Sequence, residues 1–153
     1  MTAATAGSRW LRRRPWLGLA QIETGHLLAP TAAYLLTSTS SRWSAFIDTG
    51  PACALERLLG ALEACGREPA DVQAIVLTHS HLDTAGGAGA LAEHCPNATV
   101  FAHPRACRHL ADPSRLVEKA RALYGDTTFA DLFGEVRAVD PVRHFGGGHW
   151  GGL

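Results

Sequence analysis

Hydrophobic and polar positions change their spacing several times along the chain, and each change marks a predicted element. Short apolar runs bounded by polar residues, glycine or proline predict β-strands. They lie at 17–22, 32–37, 43–47, 72–77 and 99–102. The polar cluster at 38–42 separates two of these runs in the way that is typical of an antiparallel hairpin.

Helical spacing follows the break at Asp48-Thr49-Gly50-Pro51. Four leucines recur there at i, i+3, i+4 and i+7, which predicts a helix with one apolar face against a sheet. They are Leu55, Leu58, Leu59 and Leu62, and Gly66 is expected to end the helix. Further helices are predicted at 86–94, at 104–110 and after Asp112-Pro113-Ser114. For the last of these, the expected buried stripe is Leu116, Val117, Ala120 and Leu123. Together these elements predict an α/β fold with a mixed β-sheet and flanking helices.

The two ends of the chain differ in composition from the middle. The start lacks acidic residues but contains Arg9, Arg12, Arg13 and Arg14, and the end from Phe145 is rich in glycine. We expect residues 1–16 to form a basic disordered tail, 17–137 a folded domain and 138–153 a disordered end. A weak mitochondrial presequence is the alternative interpretation of the arginine-rich start.

Charge and cysteine content narrow the expected partners. The 153 residues carry 14 basic and 14 acidic side chains, so the balance gives no reason to expect nucleic acid or a membrane surface. Cys53, Cys65, Cys95 and Cys107 form no C-x-x-C pair. The charge balance favours a small-molecule or protein partner, and we interpret the cysteines as reduced thiols in a cytoplasmic protein.

The candidate metal-binding residues lie immediately after the apolar run at 72–77. His79, His81 and Asp83 stand two residues apart, and alternate side chains of an extended backbone share a face. Two neutral imidazoles and a carboxylate suit zinc or iron, and a bound metal lowers the pKa of its water to about 7. A surface loop that contains two histidines by chance is the alternative.

The flanks of this loop resemble the metallo-β-lactamase fold superfamily, most of all the hydrolase branch that includes hydroxyacylglutathione hydrolase. The family signature is T-H-x-H-x-D-H-x-G-G, and residues 78–87 read T-H-S-H-L-D-T-A-G-G. The predicted hairpin, the Asp48-Thr49-Gly50 turn, the helix, the strand and the loop arrive in family order. The resemblance covers residues 17–137.

The resemblance implies a metal-dependent hydrolase in which metal-bound water attacks a thioester, ester or lactone carbonyl. It implies that His79 and His81 bind the first metal, and that Asp83 binds the second and acts as the catalytic carboxylate that positions the water. Asp48 would support the ligands from behind through hydrogen bonds, whereas capping of the following helix is its alternative role. Zinc is the expected metal, with iron or manganese as alternatives.

Two departures from the family pattern are present. Thr84 stands where the signature has a second-site histidine, and only the amino-terminal half of the αβ/βα sandwich is represented. We therefore expect a truncated hydrolase of doubtful activity, or alternatively an inactive half-fold that serves as a binding or assembly module. An uncovered sheet face would favour a homodimer. The candidates for that face are Ala33, Leu35, Phe46 and Val76.

Overall fold

Seven strands form one mixed sheet in the computed structural model, which describes residues 8–13, 16–25, 30–139 and 142–144. They follow one another across the sheet in chain order. The strands are β1 (Ser8–Arg13), β2 (Leu17–Glu23), β3 (Ala32–Ser38), β4 (Ser44–Ile47), β5 (Val72–Leu77), β6 (Thr99–Ala102) and β7 (Val142–His144). Pairing is antiparallel from β1 to β4 and parallel from β4 to β7. The predicted fold class is confirmed.

Helices occupy the three parallel connections. They are α1 (Leu55–Ala64) before β5, α2 (Leu82–Ala85) and α3 (Ala88–His94) before β6, and α4 (Pro104–Ala111), α5 (Ser114–Tyr124) and α6 (Asp126–Phe133) before β7. Crossovers between parallel strands are right-handed, so connections that all advance in one direction place their helices on one face of the sheet. None of the helices in the described part of the chain is long and apolar enough to cross a membrane.

The main core lies under that helical face. Burial alternates along β2 and β3 with the period of two that a sheet requires, and the buried positions contact α1 through Leu58 and Leu62. Ala33, Leu35 and Phe46 are each 0% exposed. The prediction that these three residues form an uncovered face is therefore wrong, because the direction of the crossovers brings the helices onto their side.

The opposite face of the sheet is only half-buried. It carries the intervening positions of the same strands, which sequence periodicity alone could not assign to a side. They include Leu19, Tyr34, Leu36, Ile47 and Val76. Val76 is thus the one predicted member of the uncovered face that lies there.

A second, smaller hydrophobic cluster lies between α5 and α6. Phe129, Leu132 and Phe133 of α6 are buried in it, and Leu116 and Val117 of α5 pack against them. The predicted stripe on α5 is correct at these two positions and at Ala120, which packs against the same cluster. It is wrong at its last residue, since Leu123 is 73% exposed, because α5 packs only along the side that faces α6.

Two strands fall in stretches for which we predicted disorder. Ser8–Arg13 pairs with β2, and Val142–His144 pairs with β6, so backbone hydrogen bonding at the two sheet edges orders both segments. Val139, in the second of these stretches, is also ordered, since it is 3% exposed and donates to the carbonyl of Leu110. Residues 1–7, 14–15, 140–141 and 145–153 of the two predicted ends lie outside the described residues. The domain boundaries themselves stay predictions.

Candidate metal centre

The carboxyl ends of two parallel strands meet at the candidate site. Asp48 follows β4 and Thr78 follows β5. The carboxylate of Asp48 accepts a hydrogen bond from the backbone N–H of Thr78 at 2.8 Å and another from its hydroxyl at 2.9 Å. Asp48 also donates its own N–H to the carbonyl of Val76 at 2.8 Å. These contacts tie the start of the histidine loop to the neighbouring strand.

Asp48 has an unusual backbone as well as a buried side chain. It is 8% exposed, and its φ of 57° lies in the left-handed region that non-glycine residues enter at some cost. Burial raises the pKa of this carboxyl, while the hydrogen bonds from Thr78 oppose that rise. The side chain does not cap the following helix, whose first residues have no side-chain cap. The alternative role considered for Asp48 is therefore wrong.

The hydroxyl of Thr78 links Asp48 to His79. Its Oγ1 lies 2.9 Å from Nδ1 of His79. When Asp48 is ionised its carboxylate can only accept, so the Thr78 hydroxyl donates to Asp48 and has a lone pair left to accept from His79. The proton of His79 is then on Nδ1, which leaves the lone pair of Nε2 free. The sequence motif includes Thr78, but its position gave no signal that it links these two side chains.

The predicted ligand residues come together. One ligand atom from each of His79, His81 and Asp83 lies within 4.8 Å of the others, so the three side chains form a group that could hold a metal ion. The two imidazole rings lie 4.7 Å apart at 84° to each other. Both histidines are exposed and Asp83 is half-buried, so solvent or a substrate can reach the group.

The route by which Asp83 arrives differs from the one predicted. His81 is extended, with φ −66° and ψ 144°, but Asp83 lies in the first turn of α2. The carbonyl of His81 accepts hydrogen bonds from the N–H groups of Thr84 at 3.1 Å and Ala85 at 2.8 Å. A helical turn, and not strand alternation, therefore returns the carboxylate to the histidines.

The Asp48-Thr49-Gly50 turn also fixes the far end of the loop. The carbonyl of Thr84 accepts hydrogen bonds from the N–H groups of Thr49 at 2.9 Å and Gly50 at 2.8 Å. Gly87 donates to the carbonyl of Gly50 at 3.0 Å, and a Cβ on Gly87 would lie only 3.1 Å from the carbonyl oxygen of Pro51. The φ of Gly87 is −82°, which any residue can adopt. The reason for a glycine here is therefore the short distance to Pro51, which leaves little room for a side chain.

Other histidines do not join this group within the described residues. His103 follows β6, and its Nδ1 accepts a hydrogen bond from the N–H of Arg105 at 3.2 Å, which caps α4. His26 and His149 lie outside the described residues. The donor set available here, two imidazoles and one carboxylate, suits zinc and also iron or manganese.

Comparison with known proteins places this chain in a family. Residues 29–152 match the model described as the metallo-beta-lactamase superfamily. No curated protein matches the sequence. Among solved structures, the chain is similar to Rm3 metallo-beta-lactamase, with 27% identity and a TM-score of 0.55 over 71% of this chain and 36% of the other. It is also similar to the metallo-beta-lactamase SMB-1 bound to 2-mercaptoethanesulfonate, with 25% identity and a TM-score of 0.60 over 82% of this chain and 43% of the other.

A metallo-beta-lactamase from Cronobacter sakazakii gives a further comparison. It is 27% identical with a TM-score of 0.52, over 61% of this chain and 31% of the other. This chain thus spans less than half the length of each of these three proteins. The Cronobacter protein is described by an HARLDQ motif. The hexapeptide from His79 to Thr84, H-S-H-L-D-T, shares with it the first histidine, the leucine and the aspartate. A residue other than histidine ends both motifs.

Proposed function

Because this chain belongs to the metallo-beta-lactamase superfamily, we propose that it is a metal-dependent hydrolase that acts on a carbonyl compound. The observation that carries the proposal is the convergence of His79, His81 and Asp83 within 4.8 Å. A metal ion held by these three residues would supply Lewis acidity and lower the pKa of water.

The residues of the chain have separate roles in this proposal. His79 and His81 bind through neutral imidazole nitrogens, and the Asp48 and Thr78 hydrogen bonds keep His79 in the tautomer with a free Nε2. Asp83 would hold the metal through one carboxylate oxygen and would have the other oxygen to accept a proton from water. The exposure of both histidines leaves room for a substrate.

For the substrate, we propose a thioester, ester or lactone, which follows from the resemblance to the hydroxyacylglutathione hydrolase branch. The solved relatives described above are named metallo-beta-lactamases, which makes a β-lactam the competing substrate class. A cytoplasmic location stays a prediction.

The test begins with metal content. The purified chain is incubated with zinc, dialysed and assayed for metal by elemental analysis, and then for hydrolysis of a lactone, a thioester and a β-lactam. We expect His79→Ala and His81→Ala to lose metal and hydrolysis together, whereas His94→Ala, an exposed histidine at the end of α3, keeps both. Below about 0.1 equivalent of metal in the unaltered chain, the hydrolase proposal fails.

A second candidate function, an inactive half-fold that assembles with another copy, is favoured by the half-buried second face of the sheet. Leu19 and Leu36 are paired neighbours on that face, and Leu36 also pairs with Ala45 of β4. Apolar side chains collected in this way favour burial against a partner. Sedimentation should then show a dimer that Leu36→Lys dissociates and Ser41→Lys, in the exposed β3–β4 turn, does not. A monomer at high concentration excludes this candidate.

A further inference from the structure

Leu82, the residue between His81 and Asp83, packs its side chain against a more distant part of the chain. Leu82 is 8% exposed, and it is buried in the smaller hydrophobic cluster with Phe129, Leu132 and Phe133. The other buried members of this cluster all come from α6. The metal loop therefore contacts α6 through one leucine side chain.

A second set of contacts holds α6 against the same region. The thiol of Cys53, just beyond the Asp48-Thr49-Gly50 turn, lies 3.5 Å from the carbonyl oxygen of Leu132. Gly134 has a φ of 71°, and a Cβ there would lie 2.8 Å from the backbone nitrogen of Cys53. The end of α6 thus packs tightly on the short helical turn at Cys53, while its buried side chains share one cluster with Leu82.

The α5–α6 pair is itself held together by side-chain contacts. The rings of Tyr124 and Phe133 lie 5.8 Å apart, and the guanidinium of Arg121 lies 5.1 Å from the centre of the Phe129 ring. No residue of α5 is fully buried. The pair therefore contributes little to the main core, and its apolar residues pack in the smaller cluster that also contains Leu82.

We propose that the α5–α6 pair positions the candidate metal ligands through Leu82. His81 and Asp83 flank Leu82 in sequence, so fixing its side chain fixes the turn that returns Asp83 to the histidines. Packing at Leu82 then sets the order of the loop and the affinity for metal, in addition to the stability of the fold. Leu82 is a positioning residue, and the part of the proposal that concerns affinity rests on the proposed metal centre.

The test compares two buried leucines. Leu82→Ala removes the contact with α6, and Leu58→Ala, at a residue of α1 that is 0% exposed, weakens the main core instead. Hydrogen exchange is measured on the metal-free full chain at the amides of Thr84 and Ala85, which donate to the carbonyl of His81, relative to the amides of β5. Zinc affinity is measured by competition with a chelating dye.

We expect Leu82→Ala to raise the relative exchange of Thr84 and Ala85 at least about tenfold, and to weaken zinc binding about 10- to 100-fold. Leu58→Ala should lower the melting temperature. It should change the relative exchange and the zinc affinity less than about twofold each, because its site lies apart from the loop. Leu82→Met should restore the values of the unaltered chain. Leu132→Ala should reproduce the loss, and in combination with Leu82→Ala it should add little.

The two proposals fail in different ways. If the unaltered chain binds no zinc, the proposed function fails, and the exchange ratio in the metal-free protein still decides the role of Leu82. If Leu82→Ala leaves that ratio unchanged, or if Leu58→Ala raises it equally, the positioning role of the α5–α6 pair is overturned.

Discussion

Asp48 and Thr78 are 30 residues apart in sequence, and the carboxylate of one accepts both the N–H and the hydroxyl of the other. The contact exists because β4 and β5 are parallel neighbours whose carboxyl ends meet at one edge of the sheet. Thr78 in turn contacts His79, so hydrogen bonds connect the buried carboxylate that follows β4 to a candidate metal ligand that follows β5.

The first prediction concerns this hydroxyl. Thr78→Val keeps the shape of the side chain but removes the hydroxyl that donates to Asp48 and accepts from His79. We expect zinc affinity to fall about 10- to 100-fold, as for other groups that orient metal ligands. Chelator competition measures the change. Thr78→Ser retains the hydroxyl and should stay close to the original affinity, and an equal loss in both variants would contradict the role of the hydroxyl.

Thr84 offers a test by gain of binding. Its backbone carbonyl accepts hydrogen bonds from Thr49 and Gly50, and these bonds survive a change of side chain. Thr84→His restores the family signature at this position and adds an imidazole beside Asp83. We expect more bound zinc per chain by elemental analysis than in the unaltered protein. Thr84→Asn, a polar substitution without an imidazole, is the control and should bring no gain.

Alanine substitution at two glycines should change the free energy of unfolding in opposite directions. Gly60 lies within α1 and a Cβ there meets no atom within 4 Å, so Gly60→Ala should raise the free energy of unfolding by about 0.5–1 kcal/mol. Gly134 has φ 71° and close contact with Cys53, so Gly134→Ala should lower it by about 1–2 kcal/mol or more. Urea denaturation followed by circular dichroism measures both. Stabilisation by Gly134→Ala would contradict the packing of α6 on the Cys53 turn.

Acid stability provides a prediction away from the site. The guanidinium of Arg42 donates to both carboxylate oxygens of Asp71, at 2.8 Å and 2.6 Å, and lowers the pKa of Asp71 together with the N–H of Glu68. A lowered carboxyl pKa means that the unfolded chain binds the proton more tightly. The stabilisation is therefore present above the ordinary pKa of 3.8 and is lost as pH falls through the lower pKa of the folded state.

Asp71→Asn should accordingly make the free energy of unfolding less dependent on pH in that acidic range. The loss of stability at neutral pH should be small, because Arg42 is exposed to solvent. Denaturant titrations at a series of pH values measure the slope. Arg42→Ala should flatten the same range in part, because the N–H of Glu68 still donates to Asp71, and the double variant should match Asp71→Asn alone. Independent, additive effects would show that the two side chains are not coupled.

The sequence by itself determined the local elements and the chemistry of the loop. Leucines at helical spacing predicted α1, and the apolar run at 72–77 predicted β5, because both patterns depend on neighbours along the chain. The T-H-S-H-L-D motif also identified His79, His81 and Asp83 as a group.

Only the tertiary structure decided which surfaces and partners these elements acquire. The covered face of the sheet follows from strand order and crossover direction, so Leu35 and Phe46 are buried although their alternation was compatible with either side. Leu123 is exposed because α5 packs only on α6. The contacts of Asp48 with Thr78, and of Leu82 with α6, join residues that are distant in sequence, and such contacts exist only when the whole sheet and its helices are assembled.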